Sequence, residues 1–383
     1  MSFVDTPFWL VGGCVRDALL GRPSADWDIL VARDAPGSAR RLADRIGGSF
    51  VPLDEERSIA RVVTAERLTI DVCEFVGGTL EADLQRRDFT VNAIAFDGKH
   101  LVNLTEDLSG KLIRTCSPAS LAEDPLRVLR AFRFMRELGF GLAPGLEDEL
   151  AQHCGGLERV AAERVRDELF RILKAGLTPI EEVLVRTGVL PEVLPAYSTA
   201  GLAALTELDA LEPEPWLAQH LHATLAGERR RMEVLKLAAL HWHCRGESHE
   251  PQRLKADHAL SRSEADYLAR LLRPEPSAPT TQDDRYQLYK RLSDCVPDYA
   301  VLVASAQPEL QEEAALWLRE YRERSPLAFP PRFLSGADLH ELGIPSGRDM
   351  GRILGSLEHA AALGHVKNRE EARALAERMR REA

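Results

Sequence analysis

Short apolar runs and helix-period segments alternate over the first hundred residues. Phe8 to Val11 reads as a strand ending in a Gly12-Gly13 turn, and Val15 to Leu20 as a helix stopped by Gly21 and Pro23. Asp26 to Val31 is the next strand, and its last three positions, Ile29-Leu30-Val31, suit burial. Ala39, Leu42, Ala43 and Ile46 fall on one side of an amphipathic helix over Ser38 to Ile46, stopped by Gly47-Gly48. Strands follow at Ser49 to Leu53, Ile59 to Thr64 and Leu68 to Phe75. Glu81 to Leu84 is helical, and the stretch after it should continue that helix towards a strand at Ala95-Phe96. Beyond this point the apolar period is helical. Leu126, Leu129 and Phe132 line one side of a helix with Pro125 in its first turn and Glu123 or Asp124 near its cap. Further helices cover Val160 to Gly176, Glu233 to His243 and Met350 to Leu363. Ser277 to Asp284 reads as a loop and Pro326 to Pro331 as a linker.

The chain has 383 residues, enough for two to four units of about 100–200 residues each. It contains no run of about 18 apolar residues, so no membrane span is expected, and Met1 to Asp5 does not open a secretory signal. Six scattered cysteines, with no Cys-x-x-Cys pair, suit reduced thiols in a cytoplasmic protein. A net charge of −11 argues against general coating of nucleic acid. One stretch departs from that balance. From Arg114 to Lys174 arginines are dense, Arg127, Arg130, Arg133, Arg164 and Arg171 among them, and could form one basic wall. Taken singly, each of these arginines more simply pairs with an acid on a solvated helix face.

Candidate chemistry begins with Gly12-Gly13-Cys14-Val15-Arg16-Asp17, followed nine residues later by Asp26-Trp27-Asp28. Carboxylates two apart on a strand project from one face. Two close acids repel each other, so they make sense around a divalent cation. A Gly-Gly turn lets backbone N–H groups approach an anion, and Arg16 adds a fixed positive fork. On another strand Asp71 stands in the apolar run Ile70-Asp71-Val72, where a lone acid is costly unless it meets a cation or lies at an exposed strand end.

The glycine-arginine motif with its Asp-x-Asp resembles the signature of the DNA polymerase β superfamily of nucleotidyltransferases. More narrowly it is similar to the class II tRNA nucleotidyltransferase and bacterial poly(A) polymerase family. Arg86-Arg87-Asp88-Phe89-Thr90-Val91-Asn92-Ala93 resembles that family's ribose and phosphate motif, and Glu123-Asp124-Pro125-Leu126-Arg127 its protein template. The resemblance implies an α/β head of polymerase β type, with a small and mostly antiparallel sheet, followed by an all-helical neck, body and tail. The expected bounds are 1–118, 119–196, 197–330 and 331–383. It implies that Asp26 and Asp28 hold Mg²⁺, and that Asp71 is a third catalytic carboxylate. Gly12, Gly13, Arg16, Arg87, Asp88 and Asn92 would bind the nucleotide. Asp124 and Arg127 would read its base, and Arg130 and Arg133 would also bind the nucleotide. Glu123 would orient Arg127, Arg164 and Glu168 would brace the template helix, and Asp107 would act as a spring between head and neck. Guanidinium donors and carboxylate acceptors suit the Watson–Crick edge of cytosine, and a wrong base would leave polar groups unpaired at about 1–3 kcal/mol each.

The resemblance thins after about Gly176. His241-Trp242 stands where related HD domains carry a His-Asp metal pair, so that site is expected to be degenerate or absent. His220, His222, His241 and His243 read better as satisfied or exposed histidines than as ligands. The Leu342 to Gly347 turn serves either to approach a phosphate backbone or simply to join two helices. The implied partners are tRNA and CTP, with ATP possible. Full CCA addition, addition of CC or A alone, and poly(A) synthesis share these motifs. Only Val76-Gly77-Gly78-Thr79-Leu80 separates the strand ending at Phe75 from the helix at Glu81. Full CCA-adding and A-adding enzymes of this class carry a longer charged loop there, so the chain resembles a CC-adding member whose product passes to a separate A-adding enzyme.

Overall fold

In the computed structural model the described residues are 7–194, 196–226, 229–242, 251–273 and 279–382. The chain divides into two compact units, Met1–Pro195 and Ala196–Ala383. The expected head and neck both fall in the first, and the expected body and tail in the second.

The first unit opens with β1 (Phe8–Val11), α1 (Gly13–Leu19), β2 (Asp26–Val31), α2 (Ala35–Ile46), β3 (Ser49–Asp54), β4 (Ile59–Val63), β5 (Thr69–Glu74) and α3 (Leu80–Gln85). Strands β6 (Ile94–Phe96) and β7 (Leu101–Asn103) complete a seven-stranded sheet in the order β3-β4-β5-β2-β1-β6-β7. Only the β2–β5 pairing is parallel, so the sheet is mixed and mostly antiparallel.

Alternation along the strands sets the two faces. Val31 of β2, Ala60 and Val62 of β4, and Ile70 and Val72 of β5 pack with Ala39, Leu42 and Ala43 of α2. The opposite side of the sheet buries Val11 and Leu30 against Leu80 and Leu84 of α3. Asp26 and Asp28 share the parity of Leu30, so they stand on the α3 side. Helix α2 starts three residues earlier than its apolar period suggests, because the Asp34 carboxylate caps Gly37 N–H at 3.1 Å.

The Arg86-to-Ala93 stretch does not continue α3 as expected. The helix stops at Gln85, Phe89 is extended and bridges Thr115, and Thr90–Asn92 form one tight 3₁₀ turn. Side chains here compete with a helical backbone. The Asp88 carboxylate accepts from its neighbour's N–H, Phe89, at 2.8 Å, and Thr90 Oγ1 donates to Asp107 at 2.8 Å.

The rest of the unit is helical apart from a two-residue parallel pairing between β8 (Leu112–Ile113) and β9 (Gly141–Leu142). Short helices α4 (Asp107–Gly110) and α5 (Ser120–Glu123) lead to α6 (Leu126–Leu138). Leu126, Leu129 and Phe132 of α6 are buried, as their spacing requires. Helices α7 (Leu146–His153) and α8 (Ala162–Ala175) follow.

The second unit contains helices at Thr199–Asp209, Pro215–Leu221, Arg231–His241, Arg262–Leu272, Gln282–Leu292, Val296–Ala306 and Gln311–Arg322, with shorter pieces between them. Its all-helical expectation is broken by one small ribbon, Thr224–Ala226 with Arg229–Arg230. Thr281 caps the helix from Gln282, so the loop expected over Ser277 to Asp284 ends earlier. Its beginning lies outside the described residues. Helices Gly336–Glu341, Arg348–Ala362 and Arg369–Arg381 close the chain around their own core of Leu339, Ile353 and Ala376. No helix among the described residues is long and apolar enough to cross a membrane.

Candidate active site

The parallel pairing of β2 with β5 assembles the acids. It sets Asp28 opposite Asp71 in register, and Asp26 lies two residues along the same strand. Three carboxylates therefore share one sheet face, but their surroundings differ. Asp71 is already occupied: Arg61, its register partner on β4, grips it with Nε–Oδ1 at 2.7 Å and Nη2–Oδ2 at 2.9 Å. Asp26 and Asp28 are exposed and hold no such partner. The walls of the cleft crowd Asp28 and partly strip its water, which raises its carboxyl above the ordinary value. The Arg87 charge opposes that rise, and the charges of Asp71 and Asp26 add to it.

Among the described residues no group of three or more His, Cys, Asp or Glu side chains forms a cage for a metal ion. Two open carboxylates two residues apart on one strand face fit a magnesium ion that takes its other ligands from phosphate oxygens and water.

Gly12 closes the cleft on one side. Its φ is +78°, and a Cβ there would stand 2.8 Å from Arg87 Nη1 and 3.4 Å from Asp28 Oδ2. Backbone freedom and space both require glycine. At Gly13 an added Cβ would meet only the Arg16 guanidinium, at 3.4 Å. Arg16 does not reach out as a free fork. It is buried, donating Nη1 to Asn92 Oδ1 at 2.5 Å and pairing with Asp17 at 2.8 Å.

That contact begins a chain through the Arg86-to-Ala93 motif. Asn92 Nδ2 donates to Asp88 Oδ1 at 3.0 Å, and Arg130 Nε donates to Asp88 Oδ2 at 2.9 Å. Burial alone would raise the Asp88 carboxyl. The Arg130 charge and the Asn92 and Phe89 donors outweigh it, so the carboxyl lies below its ordinary value. Arg87 faces the other way, towards Gly12, and its Nε and Nη2 donate to Asp83 at 3.2 Å. Sequence spacing did not place Arg87, Asp88 and Asn92 together, and the structure joins only the last two directly.

At the template Asp124 and Arg127, three apart in sequence, do not share one helical face. Asp124 is extended, with φ −140° and ψ 97°, because the following Pro125 disfavours helix at the preceding residue. Pro125 takes the N-cap position of α6 instead of its first turn. Asp124 Oδ1 accepts Leu126 N–H at 3.2 Å, and Arg164 pairs with its other oxygen at 3.0 Å. Arg127 donates Nη1 to Ser120 Oγ at 2.8 Å and Nη2 to the Arg86 carbonyl at 2.9 Å. Glu123 stands 3.6 Å from Arg127. Arg133 turns away from the cleft, pairing with Glu168 at 2.8 Å and Glu137 at 3.2 Å over the Phe134 ring. Asp107 accepts from Thr90, Thr105 and Arg114, tying β7 to β8.

An open cavity of about 810 Å³ unites Asp28, Arg87, Asp88, Asp124, Arg127 and Arg130 along its wall. Asp83 and Ser120, which hold the two arginines, were missed by the sequence reading. Asp83 and Arg87 are four apart across a helix end, a spacing that could have flagged them. Ser120 carries no local signal.

In the second unit His220 Nε2 meets Asp298 at 2.7 Å, His222 is exposed, and His241 packs edge-on against His258. His243 and Cys244 lie outside the described residues. The five described cysteines are free.

Comparison with known proteins finds relatives along most of the chain. Residues 8–76 match the family described as the poly A polymerase head domain, and residues 139–200 match "Probable RNA and SrmB- binding site of polymerase A". A CC-adding tRNA nucleotidyltransferase of Geobacter sulfurreducens is 35% identical over 95% of this chain and 90% of its own length. An A-adding tRNA nucleotidyltransferase of Deinococcus radiodurans is 31% identical over 96% and 94%. A solved CCA-adding enzyme with ATP superposes with a TM-score of 0.76 at 22% identity, covering 97% of this chain and 90% of its own. The Thermotoga maritima CCA-adding enzyme complexed with tRNA gives 0.72 at 23% identity, covering 99% and 92%. A polymerase β-type head is thus the shared fold, and near-full-length relatedness to named enzymes goes further: the chain belongs to the tRNA nucleotidyltransferase family.

Proposed function

We propose that the chain transfers CMP from CTP to the 3′-hydroxyl of tRNA, adds two cytidines, releases pyrophosphate, and leaves the terminal adenylate to a separate enzyme. The observation that carries CC addition is the connection between β5 and α3. It has five residues, Phe75 to Thr79, and is tied at both ends. Thr79 Oγ1 accepts Ala82 N–H at 3.2 Å, and Asp83 accepts Val76 N–H at 3.2 Å. A tied turn has no slack with which to remodel the nucleotide site for a second base. The CC-adding relatives at 35% and 32% identity support the same reading.

Asp26 and Asp28 would hold the magnesium. Bound there, magnesium lowers the pKa of the attacking hydroxyl and neutralises the triphosphate and departing pyrophosphate. Arg87 Nη1, free beside Gly12, offers a donor to a phosphate oxygen. Asn92 and the Asp88–Arg130 pair form a rigid polar wall for the ribose. Asp124 and Arg127 present an acceptor and donors to the base edge, with Glu123 and Ser120 steadying the guanidinium. Catalysis is then mostly positioning and charge stabilisation.

Full CCA addition with CTP and ATP is the second reading, supported by the 31%-identical A-adding relative, since adenylate addition occurs among proteins this similar. A addition alone is the named activity of that same relative, but the short connection between β5 and α3 speaks against it, and poly(A) synthesis draws only on the description of the head-domain family. The test uses tRNA ending at the discriminator base with labelled CTP and ATP. Two CMP and no AMP are expected. Efficient AMP incorporation after CC would replace CC addition by the second reading, and an ATP-dependent ladder would indicate poly(A) synthesis.

A further inference from the structure

One side chain holds both the short connection and Arg87, whose Nη1 lies beside Gly12 and Asp28. Asp83 of α3 is 3% exposed. Its Oδ1 accepts Val76 N–H, and its Oδ2 accepts Nε and Nη2 of Arg87. The remaining nitrogen, Nη1, is turned to Gly12. It lies 2.8 Å from the point where a Gly12 Cβ would stand, and Asp28 Oδ2 lies 3.4 Å from that same point. Despite this closeness, no ion pair within 4 Å joins Arg87 to Asp28 among the described residues. A guanidinium released beside two open carboxylates in a cleft would pair with them, because charge-assisted forks are strong where water is thinned.

We infer that Asp83 is a positioning residue: it holds Arg87 off Asp28, so that the carboxylates stay open to a divalent cation and Nη1 stays open to a nucleotide phosphate. The inference rests on the nucleotide-transfer reading of the cleft. It also gives the short connection a mechanical part. Val76 N–H ends on the carboxylate that orients Arg87, so the set of the turn and the aim of the arginine are fixed together.

The test is a Mg²⁺ and CTP titration of CMP transfer to tRNA lacking its CCA end, with the full chain. The variants are Asp83→Asn, Arg87→Gln and the two combined, with melting temperatures followed in parallel. Asp83→Asn frees Arg87 to compete with the metal, and the half-saturating Mg²⁺ concentration should rise by about tenfold or more, with KM for CTP rising alongside. Arg87→Gln should raise KM for CTP without raising the Mg²⁺ requirement. The combined variant should lose the Mg²⁺ shift. A purely structural Asp83 would lower the melting temperature with the Mg²⁺ midpoint unmoved, or shift the midpoint equally in both Arg87 backgrounds. Either result overturns the inference. If Asp83→Asn does not fold, Arg87→Lys serves instead: its ammonium can pair with Asp83 but cannot present a second nitrogen to Gly12, so an unchanged KM for CTP overturns the inference. Failure of the underlying reading has another signature, namely Asp28→Ala and Arg87→Gln both as active as the parent chain.

Discussion

Each unit of this protein gathers a pair of aspartates four or fewer residues apart, and the two pairs have opposite surroundings. In the second unit Asp298 is fully buried and every oxygen is used. Tyr267 donates to Oδ1 at 2.7 Å, and His220 and Arg231 meet Oδ2 at 2.7 and 3.0 Å. Its neighbour Asp294 takes Arg231 and, at 2.9 Å, Arg270. In the first unit Asp26 and Asp28 stand open on β2 with no such donors, while Asp71 beside them is satisfied by Arg61. Burying a charge is costly unless it is paired, so a fully compensated acid is an architectural part. Crowding acids together without compensation is unfavourable as well, and a fold keeps such a group when an absent cation completes it. The contrast separates the acids that hold this protein together from those proposed to carry its chemistry.

The largest expected effect tests that division at its functional end. Asp28→Ala should lower CMP transfer by at least about a thousandfold, because the proposed magnesium, which would activate the hydroxyl and bind the triphosphate, would lose a ligand. Its melting temperature should match the parent chain, since no partner is left unpaired. A marked loss of stability instead would place Asp28 with the architectural acids.

At the other end, Asp298→Ala leaves Arg231 and Tyr267 without their buried partner. A loss of about 3–5 kcal/mol is expected, seen by calorimetry as a fall of about 10 °C in melting temperature for a unit of this size. CMP transfer per folded molecule at low temperature should be unchanged. A stable variant that loses transfer would show that the second cluster has a chemical role.

Base reading comes next in magnitude. Asp124→Ala removes one acceptor from the proposed template and frees Arg164. The preference for CTP over UTP should fall by about ten- to a hundredfold, read as a ratio of kcat/KM values. A uniform fall for both nucleotides would make Asp124 a brace for α8 instead.

Much of this contrast was legible from the chain, and the part that was not has a common cause. Alternation along one strand placed Asp26 and Asp28 on one face, and helical spacing put Leu126, Leu129 and Phe132 in the core. Both are local periodicities. Asp71 beside Asp28 depends on a strand pairing over dozens of residues, and Arg61 across from Asp71 on the register of the β4–β5 pair, and no local period encodes either. The Arg86-to-Ala93 stretch was read as helix because its neighbours are helical, but the Asp88 carboxylate bonds locally to Phe89 N–H and Asn92 while Thr90 is drawn to Asp107, 17 residues on. The extended Asp124 was available from Pro125, whose ring restricts the residue before it. Asp83 and Ser120 hold the arginines that the motifs name, and motifs record the groups facing the ligand more readily than the groups behind them.

The smallest effect sharpens the comparison inside the cleft, where Asp88 is compensated and Asp28 is not. Burial would raise the Asp88 carboxyl, but Arg130, Asn92 and the Phe89 N–H bring it below its ordinary 3.8. A folded-state carboxyl lower than the unfolded one contributes stability above the unfolded value, and that contribution is lost as pH falls through the folded value. The stability gap between the parent chain and Asp88→Asn, measured by denaturant unfolding, should therefore be flat from about pH 7 to about pH 5 and narrow only in stronger acid. A parent chain that instead gains stability relative to Asp88→Asn as pH falls over that upper range would mean that the Asp88 carboxyl sits above its ordinary value. Arg130 would then fail to compensate it, and Asp88 would belong with Asp28 among the acids waiting for a cation.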